Sequence, residues 1–170
     1  LSAIMAAKLL GCEQIIGVDV HENRLELARK FGATHTVNAR HEDTTSRLVE
    51  ITGGGIDYGI EASGVPKVLR QAADSLVSGG TVALVGGTPI GTEVTLNMNK
   101  LLFHKTVTGV VQGNSIPQIF IPKLISLYRQ GLFPFDELIT MYKFEEINQA
   151  VADMNSGKVI KPVIKIAAAC

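Results

Sequence analysis

An aspartate stands at the end of an apolar segment near the start of the chain. Residues 14–20 (QIIGVDV) have the pattern of a buried strand, and Asp19 lies at its carboxyl end. In dinucleotide-binding folds, an acidic residue at the end of the second strand accepts hydrogen bonds from the adenosine ribose, about 20 residues beyond a glycine-rich turn. Counting back about 20 residues from Asp19 reaches the first residue, so we expect that turn to precede Leu1.

Asp19 also bears on which dinucleotide such a fold would take. NADP carries a phosphate on the adenosine ribose, and a carboxylate within about 4 Å of it would cost about 1–4 kcal/mol in repulsion. NADP sites tend to place an arginine here instead. Arg24 follows closely, but the aspartate is intact, so we predict NAD, with Arg24 near the adenosine end. A solvated acid and an exposed helix charge are the alternative interpretations of these two residues.

The composition of the 170-residue chain narrows the class of protein. Lys and Arg number 16, as do Asp and Glu, so the net charge is zero, and 46% of the residues are hydrophobic. This balance argues against a disordered chain and against a nucleic-acid-binding protein with a basic excess. Two cysteines cannot form a disulfide framework for a chain of this length, which favours a cytoplasmic protein. Gly and Pro interrupt the longest uncharged segments, so we expect no membrane span.

Strands and helices alternate along the chain, joined by short links that contain glycine. Helices are predicted at residues 1–10, 22–31, 43–52, 65–76, 116–130 and 144–155, and strands at 14–20, 34–38, 56–62, 81–85, 106–111, 142–144 and 159–166. Such alternation is typical of a parallel sheet with helices on both faces. The predicted fold class is therefore α/β, a Rossmann-type doubly wound parallel sheet. Residues 1–166 would form one NAD-binding domain, followed by a tail at 167–170.

Several segments, in this order, resemble the zinc-dependent, medium-chain alcohol dehydrogenases. They are 18–35 (VDVHENRLELARKFGATH), 55–64 (GIDYGIEASG), 80–89 (GTVALVGGTP), 144–150 (FEEINQA) and 156–163 (SGKVIKPV). Within that family, two further segments resemble the aryl (benzyl) alcohol dehydrogenases in particular. These are 120–131 (FIPKLISLYRQG) and 133–136 (FPFD). The resemblance covers nearly the whole chain.

This resemblance implies an activity that needs more than this chain. The family oxidises alcohols by hydride transfer to NAD, with a catalytic zinc held by Cys and His of a separate N-terminal domain. The benzyl-type similarity implies that a primary, aromatic alcohol becomes an aldehyde. We predict no catalytic residue and no metal ligand in this chain, zinc only in the missing catalytic domain, and no activity for the chain alone.

The cysteines and histidines present here have spacings that match no zinc pattern. They are Cys12, Cys170, His21, His35, His41 and His104. Cys12 falls in a link between a helix and a strand, and we expect it to be a small buried residue. The four histidines are interpreted as surface or packing residues.

The resemblance also assigns cofactor contacts to residues that follow other strands. Ala62, Ser63 and Gly64 would lie along the path from adenosine to nicotinamide. Val85, Gly86 and Gly87, together with Val110, Val111 and Gln112, would contact the nicotinamide carboxamide through their backbone. Lys161 would lie near the pyrophosphate, as a point charge where arginine would make a bidentate contact. We expect all of them at the carboxyl ends of strands, with ordinary turns and a solvated lysine as the alternatives.

Other functions also fit the alternating pattern. A polyol dehydrogenase is the neighbouring possibility within the family. A methyltransferase likewise holds a ribose with an acid after its second strand, and a relative could bind a dinucleotide without turnover. Topology separates these classes, because a methyltransferase usually closes its sheet with an antiparallel seventh strand, whereas our interpretation requires a parallel sixth strand.

An apolar cluster at residues 98–103 bears on the partners of the protein. Met98, Leu101, Leu102 and Phe103 fit a subunit interface and an ordinary core equally well. The family resemblance implies a homo-oligomer, a dimer or a tetramer. The other expected partner is the alcohol or aldehyde substrate of the complete enzyme.

The expected strand order is 3-2-1-4-5-6, in which the first strand lies in the middle of the sheet. A chain that lacks this strand would have two half-sheets with unpaired backbone groups, which are costly when buried. We therefore expect the chain by itself to fold poorly, unless residues outside it supply the strand. Thermal melting of the isolated chain, followed by circular dichroism, tests this expectation. A cooperative transition at high temperature would contradict it.

Overall fold

The computed structural model describes residues 1–166, and the tail predicted at 167–170 lies outside the described residues. Within them, helices and strands alternate from the first element to the last. The helices are α1 (Ser2–Leu9), α2 (Glu22–Phe31), α3 (Thr44–Thr52), α4 (Pro66–Asp74), α5 (Met98–Leu101), α6 (Pro117–Arg129) and α7 (Ile147–Asn155). The strands are β1 (Ile16–Asp19), β2 (His35–Asn38), β3 (Ile56–Glu61), β4 (Leu76–Leu84), β5 (Thr106–Gly109), β6 (Ile139–Lys143) and β7 (Lys161–Lys165).

The helices begin and end at residues whose chemistry suits those positions. Asp43 caps α3, where its carboxylate accepts a hydrogen bond from the Ser46 N–H at 2.8 Å. α4 and α6 each begin with a proline, whose missing N–H has no partner to lose in the first turn. α2 ends at Gly32, which adopts a left-handed conformation with φ of 118°. These local signals explain why the predicted helices are found within one or two turns of their expected bounds.

All the strand pairings in residues 1–166 are parallel. β1 pairs with β2, β4 lies between β3 and β5, and β6 pairs with β7, so that the strands form three separate sheets. The α/β prediction with parallel strands is confirmed. Our interpretation expects one strand before β1, so β5 is the sixth strand in its count, and β5 pairs with β4 in parallel, as required. The antiparallel strand expected of a methyltransferase does not occur in this part of the chain.

Buried apolar side chains hold the helices on the sheets. Leu69 and Ala73 of α4 pack with Leu76 and Val82 of β4 in one core cluster. On the sheet formed by β1 and β2, α2 and β2 contribute the buried residues Leu25, Ala28, Phe31 and Val37. Burial of each large aliphatic side chain is worth about 1.5–3 kcal/mol, which is the main contribution to the stability of such layers. Among the described helices, none has the length and apolar character needed to cross a membrane.

Two expectations about these elements need correction, and one open alternative is decided. Cys12 is exposed rather than buried, because the link between α1 and β1 runs over the surface. Leu76 belongs to β4 and not to the preceding helix, because it pairs with Ile56 of β3. Met98, Leu102 and Phe103 are exposed, so the cluster at 98–103 is not an ordinary core.

A buried aspartate holds α7 against the last two strands. Asp153 is 6% exposed, and its carboxylate accepts hydrogen bonds from the Tyr142 hydroxyl and the Gln149 amide, both at 2.8 Å. The Lys158 ammonium lies 3.2 Å from the same carboxylate. The bond from Tyr142 is the main cause that lowers the pKa of Asp153, and the same bond raises the pKa of Tyr142.

The turn after α7 connects this C-terminal segment to α2. The side-chain amide of Asn23 donates a hydrogen bond to the Gly157 carbonyl at 3.0 Å. The ring of His21 lies so close to Gly157 that a Cβ at this position would be 2.7 Å from the ring carbon Cε1. Gly157 also has a φ of 75°. Both the backbone conformation and the contact with His21 therefore require glycine here.

Replacement of Tyr142 by Phe in the complete protein should lower Tm at neutral pH, because Asp153 loses its main donor. The pKa of Asp153 is depressed in the folded state. Its contribution to stability is therefore present above the ordinary carboxyl pKa of 3.8 and is lost as the pH falls through the lower folded-state value. The raised pKa of Tyr142 makes its contribution present below the ordinary pKa of 10.0 and lost as the pH rises through the higher folded-state value.

Calorimetry of the wild type and Tyr142→Phe, from about pH 3 to about pH 8, checks this linkage. The difference in Tm between them should shrink towards the acid end. Tyr58→Phe is the matched control, because Tyr58 is 82% exposed and its substitution should leave Tm unchanged at every pH. A Tyr142→Phe difference that is constant over the whole range would contradict the prediction.

Two glycine substitutions separate backbone strain from the contact with His21. Gly53 and Gly157 have nearly the same φ, 73° and 75°, but a Cβ on Gly53 would meet no atom within 4 Å. Alanine at either position costs about 1–2 kcal/mol in left-handed strain. Only Gly157→Ala must also displace His21, so it should lower the free energy of unfolding by about 1 kcal/mol more. Denaturant unfolding of the two variants measures the difference, and equal losses would show that the His21 contact contributes nothing.

Candidate functional site

The carboxyl ends of neighbouring strands lie at a common edge of each sheet. Glu61, Leu84 and Gly109 are aligned with one another at the ends of β3, β4 and β5. In the other N-terminal sheet, Asp19 is aligned with Asn38. The turns at 62–64, 85–87 and 110–112 therefore leave the three-stranded sheet at one edge. This is the kind of edge where ligands bind in open α/β sheets.

Asp19 is the last residue of β1, and one of its carboxylate oxygens is already bound within the protein. Oδ1 accepts hydrogen bonds from the N–H groups of Val20 at 2.7 Å and His21 at 2.9 Å. These bonds hold the carboxylate at the start of α2, where the helix dipole favours a negative charge. Oδ2 lies 3.8 Å from Nη1 of Arg24. The side chain is 28% exposed, so Oδ2 remains within reach of a ligand.

Arg24 adds a donor beside this carboxylate. Its Nε is buried and has no hydrogen-bond partner among residues 1–166, whereas the side chain as a whole is 32% exposed. The buried Nε is out of reach of a ligand, so the exposed part of the guanidinium is the donor available at this position. Asp19 and Arg24 lie side by side and together offer an acceptor and a donor to a ligand rich in hydroxyl groups.

The turns after β3 and β4 are joined through Glu61. Its main-chain oxygen accepts hydrogen bonds from the N–H groups of Val85 at 2.8 Å and Gly86 at 3.0 Å. Its carboxylate accepts from the N–H groups of Ser63 at 2.7 Å and Gly64 at 3.0 Å, and from the Ser63 hydroxyl. These four N–H groups are therefore bound within the protein and are not free to bind a ligand.

Two glycines allow the turns to approach each other. A Cβ on Gly86 would collide with the amide nitrogen of Gly64 and would lie 2.9 Å from the Glu61 carboxylate. A Cβ on Gly64 would collide with the Gly87 carbonyl oxygen, and the φ of Gly64 is 71°. The glycines expected to let a ligand approach are therefore needed first for the contact between the turns.

The turn after β5 contains consecutive left-handed residues. The N–H of Val110 donates to the Leu84 carbonyl at 2.9 Å, which extends the pairing of β4 with β5. Gln112, Gly113 and Asn114 then have φ values of 50°, 67° and 50°. The left-handed conformation costs Gln112 about 1–2 kcal/mol. Strain of this kind is concentrated at functional sites, where the surrounding structure maintains it.

Lys161 begins a strand rather than following one. It is the first residue of β7 and is aligned with Ile139, in the separate sheet formed by β6 and β7. The expectation that it lies at the carboxyl end of a strand is wrong, because β7 starts at this residue and runs away from it. Its side chain is exposed. Gly157, four residues earlier, contacts His21 and Asn23, so the segment carrying Lys161 is anchored beside the Asp19 loop.

Glu61 is the residue at this edge that sequence reasoning missed. The signal was a charged residue within a strand predicted to be buried, which is uncommon unless the charge has partners. The small residues that follow it, Ala62, Ser63 and Gly64, form a turn whose N–H groups supply those partners. A metal centre, by contrast, has no counterpart in residues 1–166, where no three His, Cys, Asp or Glu side chains are grouped to hold an ion.

Solved structures share this fold over nearly the whole chain. Benzyl alcohol dehydrogenase from Acinetobacter calcoaceticus matches with a TM-score of 0.94 and 46% identity, covering 97% of this chain and 46% of that one. An alcohol dehydrogenase zinc-binding domain protein from Burkholderia ambifaria matches with a TM-score of 0.93 and 46% identity, covering 97% and 45%. The parallel α/β fold is thus the Rossmann-type nucleotide-binding fold of alcohol dehydrogenases.

Sequence comparison agrees with the structural matches. Geraniol dehydrogenase from Castellaniella defragrans is 34% identical over 166 residues, which is 96% of this chain and 44% of that protein. The chain spans less than half the length of each of these relatives. Residues 1–129 match the family model described as zinc-binding dehydrogenase. This match covers more than half of the chain, and the chain belongs to the zinc-binding dehydrogenase family.

Proposed function

We propose that this chain is the NAD-binding part of an alcohol dehydrogenase, which in its complete form oxidises an alcohol to an aldehyde. The observation that carries the proposal is the corner formed by Asp19 and Arg24. There, a carboxylate fixed by two backbone N–H groups lies 3.8 Å from a guanidinium, and both side chains are partly exposed. The corner lies at the carboxyl end of a parallel strand, where this fold binds nucleotides. Family membership supports the dehydrogenase chemistry.

The adenosine half of the cofactor would be held at this corner. Oδ2 of Asp19 would accept hydrogen bonds from the ribose hydroxyls, and Arg24 would donate to a ribose oxygen. The same carboxylate would repel the additional phosphate of NADP by about 1–4 kcal/mol at about 4 Å. The bonds from Val20 and His21 fix the carboxylate in place, so it cannot readily turn away from that phosphate. These features support NAD.

The nicotinamide half would meet the turns after β4 and β5. The N–H groups of Val85, Gly86 and Val110 are bound within the protein, so Val85 and Val110 would accept hydrogen bonds from the carboxamide NH₂ through their carbonyl oxygens. The strained backbone at Gln112 would make a further contact with the carboxamide.

The other predicted contacts would lie between the two halves of the cofactor or beside the carboxamide. Residues 62–64 would follow the path between the halves. Gly87, where a Cβ would meet no atom within 4 Å, would leave room beside the carboxamide, and Val111 is exposed. Lys161 would neutralise pyrophosphate charge from its exposed position at the start of β7.

The reaction divides between this chain and residues outside it. The bound cofactor supplies the hydride acceptor, and the residues of this chain bind and orient it. We assign the catalytic zinc to Cys and His residues outside this chain, because the described residues hold no group of three suitable ligands. Similarity to benzyl alcohol dehydrogenase, at 46% identity, supports a primary aromatic alcohol as the substrate.

The exposed apolar side chains at 98–103 support a homo-oligomer. Met98, Leu102 and Phe103 are all exposed, and an apolar patch of this kind is typical of a protein interface. A dimer or a tetramer of the complete protein would cover it. The low cysteine content favours a cytoplasmic location.

Replacement of Asp19 by Ala in the complete protein tests the ribose contact. Loss of the charge-assisted hydrogen bonds should weaken NAD binding by about 1.5–3 kcal/mol, or about 10- to 150-fold in Kd. NADP should gain relative to NAD, because the repulsion is removed. Titration calorimetry with both dinucleotides measures the change.

Asp57→Ala is the matched control for this experiment. Asp57 is exposed near the opposite end of β3 from the candidate site, so its replacement should leave both affinities unchanged. If Asp19→Ala binds NAD as tightly as the wild type and shows no gain for NADP, the ribose role of Asp19 is wrong.

A further inference from the structure

Glu61 is a buried acid without a basic partner among the ion pairs of residues 1–166. Its residue is 2% exposed, which makes it one of the most deeply buried side chains described. None of the ion pairs in this part of the chain includes it. A buried carboxylate is costly unless hydrogen bonds replace its water. The contacts that compensate this cost therefore indicate what the residue does.

The compensating donors all come from the turn that follows β3. The carboxylate accepts from the N–H groups of Ser63 and Gly64 and from the Ser63 hydroxyl. The Ser63 hydroxyl oxygen in turn accepts from the N–H of Val65 at 3.2 Å. Val65 is the N-cap residue of α4, so the network ends at a helix N-terminus, where the dipole favours a negative charge.

The same residue also holds the next turn, through its main chain. The carbonyl oxygen of Glu61 accepts from the N–H groups of Val85 and Gly86. The carboxylate also lies close to Gly86, since a Cβ placed on this glycine would be 2.9 Å from Oε2 of Glu61. A shift of the carboxylate would therefore change the packing of Gly86 as well as the turn at 63–64.

The carboxylate contacts differ from those that hold the sheet together, whereas the main-chain bonds from Val85 and Gly86 extend the pairing of β3 with β4. The pairing of β3 with β4 runs from Tyr58 with Thr81 to Glu61 with Leu84 through backbone bonds. The core beneath it is made by side chains such as Leu69 and Val82. The hydrogen bonds of the carboxylate go to the turn at 63–64 and belong neither to the strand pairing nor to this core cluster. Its removal should therefore disturb the turns more than the fold.

We propose that Glu61 is a positioning residue for the cofactor, joining the turns at 62–64 and 85–87 into one rigid surface that receives the nicotinamide half of NAD. This inference rests on the function proposed above. It adds a residue that need not touch the cofactor and acts through the carbonyl oxygens and glycines of both turns. Removal of the carboxylate should weaken contacts to the nicotinamide half and spare those to the adenosine half.

Glu61→Gln in the complete protein tests this role with little change in shape. A glutamine oxygen at the Oε1 position would keep the bonds from Ser63 and the 3.1 Å bond from the Gly64 N–H, but the NH₂ group at the Oε2 position would face that same N–H, so an attraction becomes a repulsion between donors. Titration with NAD and with AMP separates the halves, since AMP contains only the adenosine portion. We expect Kd to rise about tenfold for NAD and to stay within about twofold for AMP.

Glu145→Gln is the matched control, because Glu145 is exposed on the segment between β6 and α7. It should change neither affinity. Ser63→Ala serves if Glu61→Gln does not fold, because it keeps the carboxylate and its N–H donors and removes only the hydroxyl, which donates to Glu61 and accepts from the Val65 N–H. It should weaken NAD by about two- to fivefold and leave AMP within about twofold.

Equal weakening of NAD and AMP by Glu61→Gln would overturn the positioning role, as would unchanged NAD binding in a folded variant. If Ser63→Ala has to decide, unchanged NAD binding in that variant overturns the role too. Failure of the proposed function looks different. In that case the wild-type protein does not bind NAD, or Asp19→Ala binds NAD and AMP as tightly as the wild type does.

Discussion

The parallel hydrogen bonding of β3, β4 and β5 is the constraint on which the candidate site depends. Their register aligns Glu61, Leu84 and Gly109, so the three following turns leave the sheet at one edge. A strand shifted by one residue would carry its turn away from the others and would move its buried side chains to the opposite face. The sheet core that includes Leu69 and Val82 therefore also fixes the place where a ligand can bind.

Hydrogen bonds within the protein occupy many of the backbone N–H groups in the turns at this edge of the sheet. Glu61 binds the N–H groups of two turns, and Leu84 binds that of Val110. These five N–H groups are consequently not free to bind a ligand. The left-handed backbone at Gln112 also depends on internal contacts, because a conformation that costs free energy persists only where the surrounding structure maintains it.

The C-terminal segment contacts the loop that carries Asp19 through Gly157. Lys161 lies in the separate sheet formed by β6 and β7. Gly157, four residues before it, packs against His21 and accepts a hydrogen bond from Asn23. His21 also donates its backbone N–H to Asp19. The strand that carries Lys161 and the loop that carries Asp19 are thus joined by neighbouring contacts. Asp153 secures the other side of the same turn by binding α7 to Tyr142.

Local chemistry determined much of this protein from sequence alone. The helix starts near Asp43 and Pro66, the helix end before Gly32 and the position of Asp19 at a strand end depend on nearby residues, which the sequence displays. Tertiary structure alone decided the engagement of Glu61 with two turns, the exposure of Cys12 and the placement of Lys161 at the start of a strand. These properties depend on how distant segments meet in space, and periodicity along a single chain carries no information about such contacts.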